Sequence, residues 1–301
     1  MSSKKTKPNL FIIGAPKCGT TSMMHYLSQH PEIFVSPVKE PHYFNTDSGH
    51  RYYFEQSDYL HLFSDATPRQ TLRAEGSVWY LYSEVAIMNI LGFNPDAKFI
   101  IMLRDPVSMF FSLHQELLFG GSEDERSALR AWYLQVNRKG GKCIPLGCSD
   151  QRFLQYGDVC SLGTQLKNAM EIIPPKNLLY IFMDDLRINP DTAYTIVQKF
   201  LGVTGIHLNS YEVVNKKKVR KSYLLAKTLI AATNLKKKLG LRGGLGIANA
   251  INNRNVSHDV SLSKEKLGDL NSTLYAYFEE DIALLEKLTG RDLSRWRKPS
   301  N

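Results

Sequence analysis

Leu10-Phe11-Ile12-Ile13-Gly14-Ala15-Pro16-Lys17-Cys18-Gly19-Thr20-Thr21-Ser22 decides the fold. Its opening apolar run has the pattern of a strand buried on both faces in a parallel sheet. A turn bearing Gly and Pro follows, and it opens into a predicted helix over Met23 to Gln29, where Met23, Met24, Tyr26 and Leu27 can face the sheet. Glycines let the backbone curl so that successive N–H groups point inward, and a helix N-terminus favours an anion. Pro16, Lys17, Cys18, Gly19, Thr20, Thr21 and Ser22 are therefore the candidate cradle for a phosphate-like group. Gly14 and Gly19 have Walker A spacing, yet Thr20-Thr21 stands where Lys-Ser would, and the lysine lies inside the loop. No apolar strand ends in an aspartate clearly placed for magnesium; Asp184 and Asp185 come nearest. That combination suits a group transfer needing charge neutralisation without a metal, and no metal is expected. A plain strand-to-helix turn is the simpler alternative.

Working outward, Ala97 to Leu103 predicts a second strand ending at Arg104, with Asp105 as cap and Pro106 in the first turn of a helix reaching about Leu118. Asn177 to Phe182 predicts a third strand, preceded by a helix over Leu162 to Ile173 and a Pro174-Pro175 break. Pro190 to Leu201 reads as a helix stopped by Gly202. A last helix over roughly Ser263 to Leu288 aligns Leu267, Leu270, Leu274, Phe278, Ile282 and Leu285. Alternating strands and helices predict an α/β fold, a single domain over 1–301 with a central parallel β-sheet flanked by helices and a P-loop-like strand-loop-helix. Residues 1–8 are expected as a flexible N-terminus.

An arginine at the carboxyl end of a parallel strand points into the crevice where open α/β sheets bind ligands. Ser112 lies eight residues beyond Arg104, about two helical turns, on the helix face that looks back toward it. Together they offer a guanidinium fork and a hydroxyl to a second phosphate. An Arg–Asp surface pair beside a helix serine is the plain alternative.

The 301 residues carry 38 Lys and Arg against 29 Asp and Glu, a net charge of +9. With 43% hydrophobic and 22% charged residues, disorder and low complexity are excluded. The basic excess favours an anionic partner without choosing a nucleotide, an acidic acceptor, nucleic acid or a membrane surface. Cys18, Cys143, Cys148 and Cys160 lack zinc-ligand spacing; they read as reduced thiols, with a Cys143–Cys148 bridge left open. With neither signal peptide nor membrane span in the sequence, a cytoplasmic location is expected. The lysine-rich region 216–242 reads as a solvated basic face or as a contact for an anionic acceptor or membrane surface.

Taken together, these motifs resemble the sulfotransferase family that uses 3′-phosphoadenosine 5′-phosphosulfate (PAPS), closest to the branch of heparan sulfate sulfotransferases and their bacterial relatives. Gly14 to Ser22 is similar to that family's 5′-phosphosulfate loop, and Leu103-Arg104-Asp105-Pro106 with Ser112 to its 3′-phosphate element. Lys39-Glu40-Pro41-His42-Tyr43-Phe44 resembles the segment bearing the catalytic glutamate. Phe200-Leu201-Gly202-Val203 and Leu288 to Trp296 resemble late markers of the family.

The resemblance implies in-line sulfuryl transfer to a hydroxyl or amine, with 3′-phosphoadenosine 5′-phosphate (PAP) as product. Lys17 would stabilise the leaving phosphate, and Glu40 would be the base, its pKa raised if the cleft is dry. His42 would share that role or orient the acceptor, or else simply pack among aromatics; Lys39 reads as a solvated charge. Arg254, in the polar loop Asn252 to Ser257, is a further phosphate ligand by resemblance. The acceptor, whether small molecule, lipid or saccharide, is expected against an insertion over 119–150 and among Tyr43, Phe44, Trp79, Tyr80, Trp132 and Tyr133. Nucleic acid is not an expected partner. Gly76 stands where the heparan branch often carries a lysine, which points to another acceptor, and Leu162 replaces a family tyrosine. The rival readings are a P-loop nucleotide kinase or NTPase and a non-catalytic basic anion-binding module.

Overall fold

A computed structural model describes residues 7–212, 219–220, 256–257 and 267–297. Its centre is a five-stranded parallel sheet in the order β2-β3-β1-β4-β5. The strands are β1 (Leu10–Gly14), β2 (Ile33–Val35), β3 (Leu72–Glu75), β4 (Lys98–Leu103) and β5 (Leu178–Phe182). β1 is buried along its whole length, as its unbroken apolar run predicts. β4 is buried from Phe99 to Leu103 for the same reason. Two short strands, β6 (Val219–Arg220) and β7 (Val256–Ser257), pair antiparallel.

The helices are α1 (Thr20–Ser28), α2 (Gln56–His61), α3 (Ala86–Phe93), α4 (Pro106–Gly120), α5 (Ala128–Lys139), α6 (Tyr156–Cys160), α7 (Leu162–Ile172), α8 (Met183–Ile188), α9 (Pro190–Leu201) and α10 (Leu267–Thr289). Their ends follow local chemistry. Asp105 caps α4, accepting from Val107 N at 3.2 Å and Ser108 N at 2.9 Å. Asn189 caps α9 through Thr192 N at 3.1 Å, and Gly202 closes it with φ 73°, a left-handed position suited to glycine.

The chain gathers into two compact units. The first comprises 1–109, 160–215 and 275–301 and contains the parallel sheet. Its strand order reverses direction between β1 and β4, the kind of switch point at which open α/β sheets bind ligands. The loops after β1, β2 and β4 carry Lys17, Glu40 and Arg104 to the carboxyl edge of that sheet, where Glu75 closes β3.

The second unit comprises 110–159 and 216–274. Phe110 packs edge-on against Trp132 and Tyr156 at ring separations of 5.4 and 5.1 Å. Beneath them, the buried Glu123 receives Arg138 in a two-bond fork of 2.6 and 2.7 Å, and the Tyr156 hydroxyl donates to it at 2.7 Å. Burial pushes the Glu123 pKa up, but the Arg138 and Tyr156 hydrogen bonds outweigh it and hold the carboxyl low. The segment 119–150 is thus not a plain polar loop: it contains α5 and is tied down by a buried ion pair. Removing one partner strands the other charge in the core. Arg138→Met is therefore expected to lower unfolding free energy by about 3–5 kcal/mol in urea melts, with Glu123→Leu in the same chain restoring much of it.

Candidate active site

The loop after β1 is shaped by backbone geometry. A Cβ on Gly14 would lie 2.9 Å from the Val78 carbonyl oxygen and 2.8 Å from Leu81 Cβ, so only glycine fits. Lys17 sits at φ 64°, a conformation that non-glycine residues seldom adopt. α1 begins at Thr20 rather than at the expected Met23, which places Thr20, Thr21 and Ser22 in its first turn. Met23 N donates to Gly19 O at 3.1 Å, so the amides of Thr20 to Ser22 stand at the helix mouth. Pro16 and Cys18 are buried in the loop, and the Cys18 thiol turns inward, 3.8 Å from Met109 Sδ. Burial drives its pKa up to about 12. Cys18 therefore shapes the cradle, and its thiol faces the core instead of a ligand.

Arg104 lies half-buried at the end of β4 and donates from Nη1 to the Lys17 carbonyl at 2.8 Å. This bond joins the two elements that the sequence marks for anions. Ser112 is half-buried on α4 and belongs to the second unit. Asp184 and Asp185 have structural partners: Asp185 pairs with Arg291, with Nη2 to Oδ1 at 2.8 Å, and Asp184 accepts from Trp296 Nε1 at 3.2 Å. Among the described residues, no group of three His, Cys, Asp or Glu side chains is placed to hold a metal ion.

Glu40 and His42 share a tight turn after β2 in which both have positive φ, 58° and 51°. Two such residues two positions apart store local strain, a pattern that collects at functional sites. Glu40 Oε2 lies 3.3 Å from His42 Nε2, and Oε1 lies 2.9 Å from Lys39 Nζ. Burial pushes the Glu40 pKa up, but the His42 hydrogen bond and the Lys39 ammonium overcome it and bring it down to about 2. This is opposite to the rise expected of a dry cleft, because the carboxylate has its own partners. Lys39 is likewise more than a solvated charge. His42 is fully buried, and its Nδ1 has no hydrogen-bond partner.

Of the six aromatics expected at an acceptor cleft, Phe44, Trp79, Tyr80 and Trp132 are core residues. Tyr133 is exposed on α5, and Tyr43 stacks on Tyr59 at 4.3 Å. The sequence reading passed over Tyr52 and Phe54, which are 60% and 65% exposed in the loop that follows the Glu40 turn. Tyr52 lies 6.0 Å from the His42 ring, and burial followed by the Glu40 charge raises its pKa. Glu75 and Ser77 were also passed over as site residues; Ser77 Oγ accepts from His42 N at 3.1 Å and donates to Glu75 Oε1 at 2.5 Å. Gly76 packs against Met24, and a Cβ there would stand 3.0 Å from Met24 Cγ, so a lysine at this position would have to displace that side chain. Arg254 and the 216–242 region lie outside the described residues, apart from the backbone of β6. No helix among the described residues is long and apolar enough to cross a membrane.

Comparison with known proteins gives a consistent result. Residues 7–246 match the family described as Sulfotransferase domain. Among curated proteins, the chain is 30% identical over 214 residues to the human bifunctional heparan sulfate N-deacetylase/N-sulfotransferase 3, covering 69% of this chain and 23% of that protein. It is 30% identical over 221 residues to carbohydrate sulfotransferase 15 of Mus musculus, covering 59% of this chain and 37% of the relative. The chain thus spans less than half the length of these relatives. A solved sulfotransferase from Alicyclobacillus acidocaldarius superposes with a TM-score of 0.69 at 24% identity, covering 97% of this chain and 99% of that one. That likeness shows the fold.

Proposed function

We propose that this chain, which belongs to the sulfotransferase domain family, moves a sulfuryl group from PAPS to a hydroxyl or amine of a saccharide acceptor. That it is an enzyme of sulfuryl transfer follows from the family; the donor, the residue roles and the acceptor are our reading. The observation that carries it is the hydrogen bond from the Arg104 guanidinium to the Lys17 backbone carbonyl, which ties Arg104 to the loop that bears Lys17 at one sheet edge. A donor with two separate anionic groups fits that pair. The helix mouth at Thr20 to Ser22 and Lys17 would take its 5′ end, and Arg104 with Ser112 its 3′-phosphate. Arg254 is kept as a further phosphate ligand.

In the transfer, the acceptor oxygen or nitrogen forms a bond to sulfur as the bond from sulfur to the 5′-phosphate oxygen breaks. Glu40 takes the acceptor's proton, and Lys17 neutralises the charge growing on the leaving oxygen. His42 orients Glu40 through Nε2. Two curated relatives are named for heparan sulfate and carbohydrate sulfation, which favours a saccharide over a small molecule or lipid. Tyr52 and Phe54, beside the Glu40 turn, are the proposed acceptor contacts. The NTPase alternative loses its nearest magnesium ligands to Arg291 and Trp296.

Calorimetry with PAP tests the reading. Magnesium-independent binding is expected, weakened about 30-fold to 1,000-fold in Arg104→Ala, the cost of removing one partner of a charged hydrogen-bonded pair. Binding of ATP with magnesium, and none of PAP, would sink it.

A further inference from the structure

We propose that Glu75 is a positioning residue: its carboxyl group orients the hydroxyls of Ser77 and Tyr80 so that their oxygens accept the N–H groups of His42, Tyr43 and Phe44, and this holds the turn that carries Glu40. The inference rests on the sulfotransfer reading for its catalytic consequence, although the hydrogen-bond relay stands on geometry alone.

Glu75 closes β3 and is fully buried. An acid at such depth is costly unless its oxygens are satisfied. Among the described residues no cation bonds to it; its partners are hydroxyls. Ser77 Oγ donates to Oε1 at 2.5 Å and the Tyr59 hydroxyl donates to Oε2, while the Tyr80 hydroxyl stands beside both Glu75 and Ser77, each of which shifts its pKa. Burial pushes the Glu75 pKa up, and these hydroxyls pull it partly back.

The direction of each bond matters. Ser77 spends its proton on the carboxylate, and the Tyr80 hydroxyl, whose oxygen accepts from two amides, gives its proton to this same Glu75–Ser77 pair. Their oxygens then turn lone pairs outward. Ser77 Oγ accepts from His42 N at 3.1 Å, and Tyr80 Oη accepts from Tyr43 N at 2.8 Å and Phe44 N at 3.2 Å. Three consecutive amides are thus anchored to one acid through two hydroxyls. Tyr59, the third donor, stacks on Tyr43 with planes 9° apart, so it braces the same segment. The anchored amides begin at His42, one of the two strained residues, and adjoin Glu40, the other. Among the described residues, the relay is what holds these three N–H groups, while Arg51 and Asn89 hold the carbonyls of Tyr43 and Phe44 from the other side.

Glu75→Gln keeps the shape but inserts an N–H donor that competes with the backbone donors for a hydroxyl oxygen. Hydrogen–deuterium exchange on the full chain should show the amides of His42, Tyr43 and Phe44 exchanging about tenfold faster or more, with β1 and β4 unchanged. In steady-state PAP release from PAPS, with N-deacetylated heparosan (free hydroxyls and amines) as acceptor probe, kcat should fall roughly 10-fold to 100-fold while the KM for PAPS stays put. Ser77→Thr keeps the hydroxyl and should retain wild-type values. Wild-type exchange at 42–44 in Glu75→Gln, or a kcat loss matched by an equal rise in the KM for PAPS, would overturn the proposal. Should Glu75→Gln not fold, Ser77→Ala should expose the His42 amide alone and Tyr80→Phe those of Tyr43 and Phe44; an undivided pattern would count against the relay. If wild type binds PAP but turns over no PAPS with this saccharide, the saccharide assignment fails, and the exchange pattern alone decides whether Glu75 holds the turn.

Discussion

Glu40→Gln is expected to lower kcat by about 10²-fold to 10⁴-fold, the usual contribution of a general base, with PAP affinity unchanged. The amide keeps the volume and can still accept from His42, so the loss isolates proton removal from packing. The depressed pKa sets the pH behaviour. With its folded pKa brought down to about 2 from the ordinary glutamate value of 4.5, Glu40 is ionised throughout the neutral range. The sign for stability follows: the unfolded chain takes up the proton first as pH falls, so the contribution of the Lys39–Glu40–His42 cluster is full above about pH 4.5 and is lost as pH drops through about 2. A rate profile that is flat with respect to Glu40 between about pH 5 and 8 is expected from the same shift. So acidic a carboxylic acid makes a weak base toward a resting hydroxyl. Proton transfer should therefore run late, once bonding to sulfur has made the acceptor proton acidic. A Glu40→Gln enzyme with undiminished kcat would remove Glu40 from the chemistry.

Lys17→Ala should cost about 10²-fold to 10³-fold in kcat, the size of effect seen when one preorganised charge-stabilising donor is removed. The geometry adds a control. Lys17 pays a conformational cost at φ 64°, which glycine would not incur. Lys17→Gly should therefore be more stable to heat than Lys17→Ala while being equally slow. If the two variants differ in rate as much as in melting temperature, the loop's shape and not the ammonium carries the effect. Arg104 makes the prediction sharper, because its bond is to the Lys17 backbone carbonyl and survives both changes.

The elements legible in the sequence were those with one dominant signal. β1, β4 and β5 are near-continuous apolar runs, α4 announces its start through Asp105 and Pro106, and α9 announces both ends through Asn189 and Gly202. β2 is only three residues long, and β3, Leu-Arg-Ala-Glu, has no apolar run, so neither shows a strand pattern. They become strands because β1 offers an edge to β3, and β3 one to β2. At the site, Lys17, Glu40 and Arg104 stood out by residue type and resemblance. Their environment did not, since the Glu40 pKa depends on which groups the turn brings beside it, and positive φ at three non-glycine residues leaves no mark on composition. Glu75 looked like one more strand-end acid; only the paired register Phe11↔Glu75 places it in the interior.

The inward-facing thiol of Cys18 has a consequence for handling and for survival under oxidants. A sulfur becomes nucleophilic as thiolate, and one whose pKa stands near 12 remains protonated at any pH the enzyme meets. Peroxide and maleimide reagents should pass over the anion-binding loop even though a cysteine lies at its centre. They should react first at Cys143, which is exposed. The chain therefore carries a built-in attachment point for a fluorescent reporter, one that leaves the nucleotide loop chemically untouched.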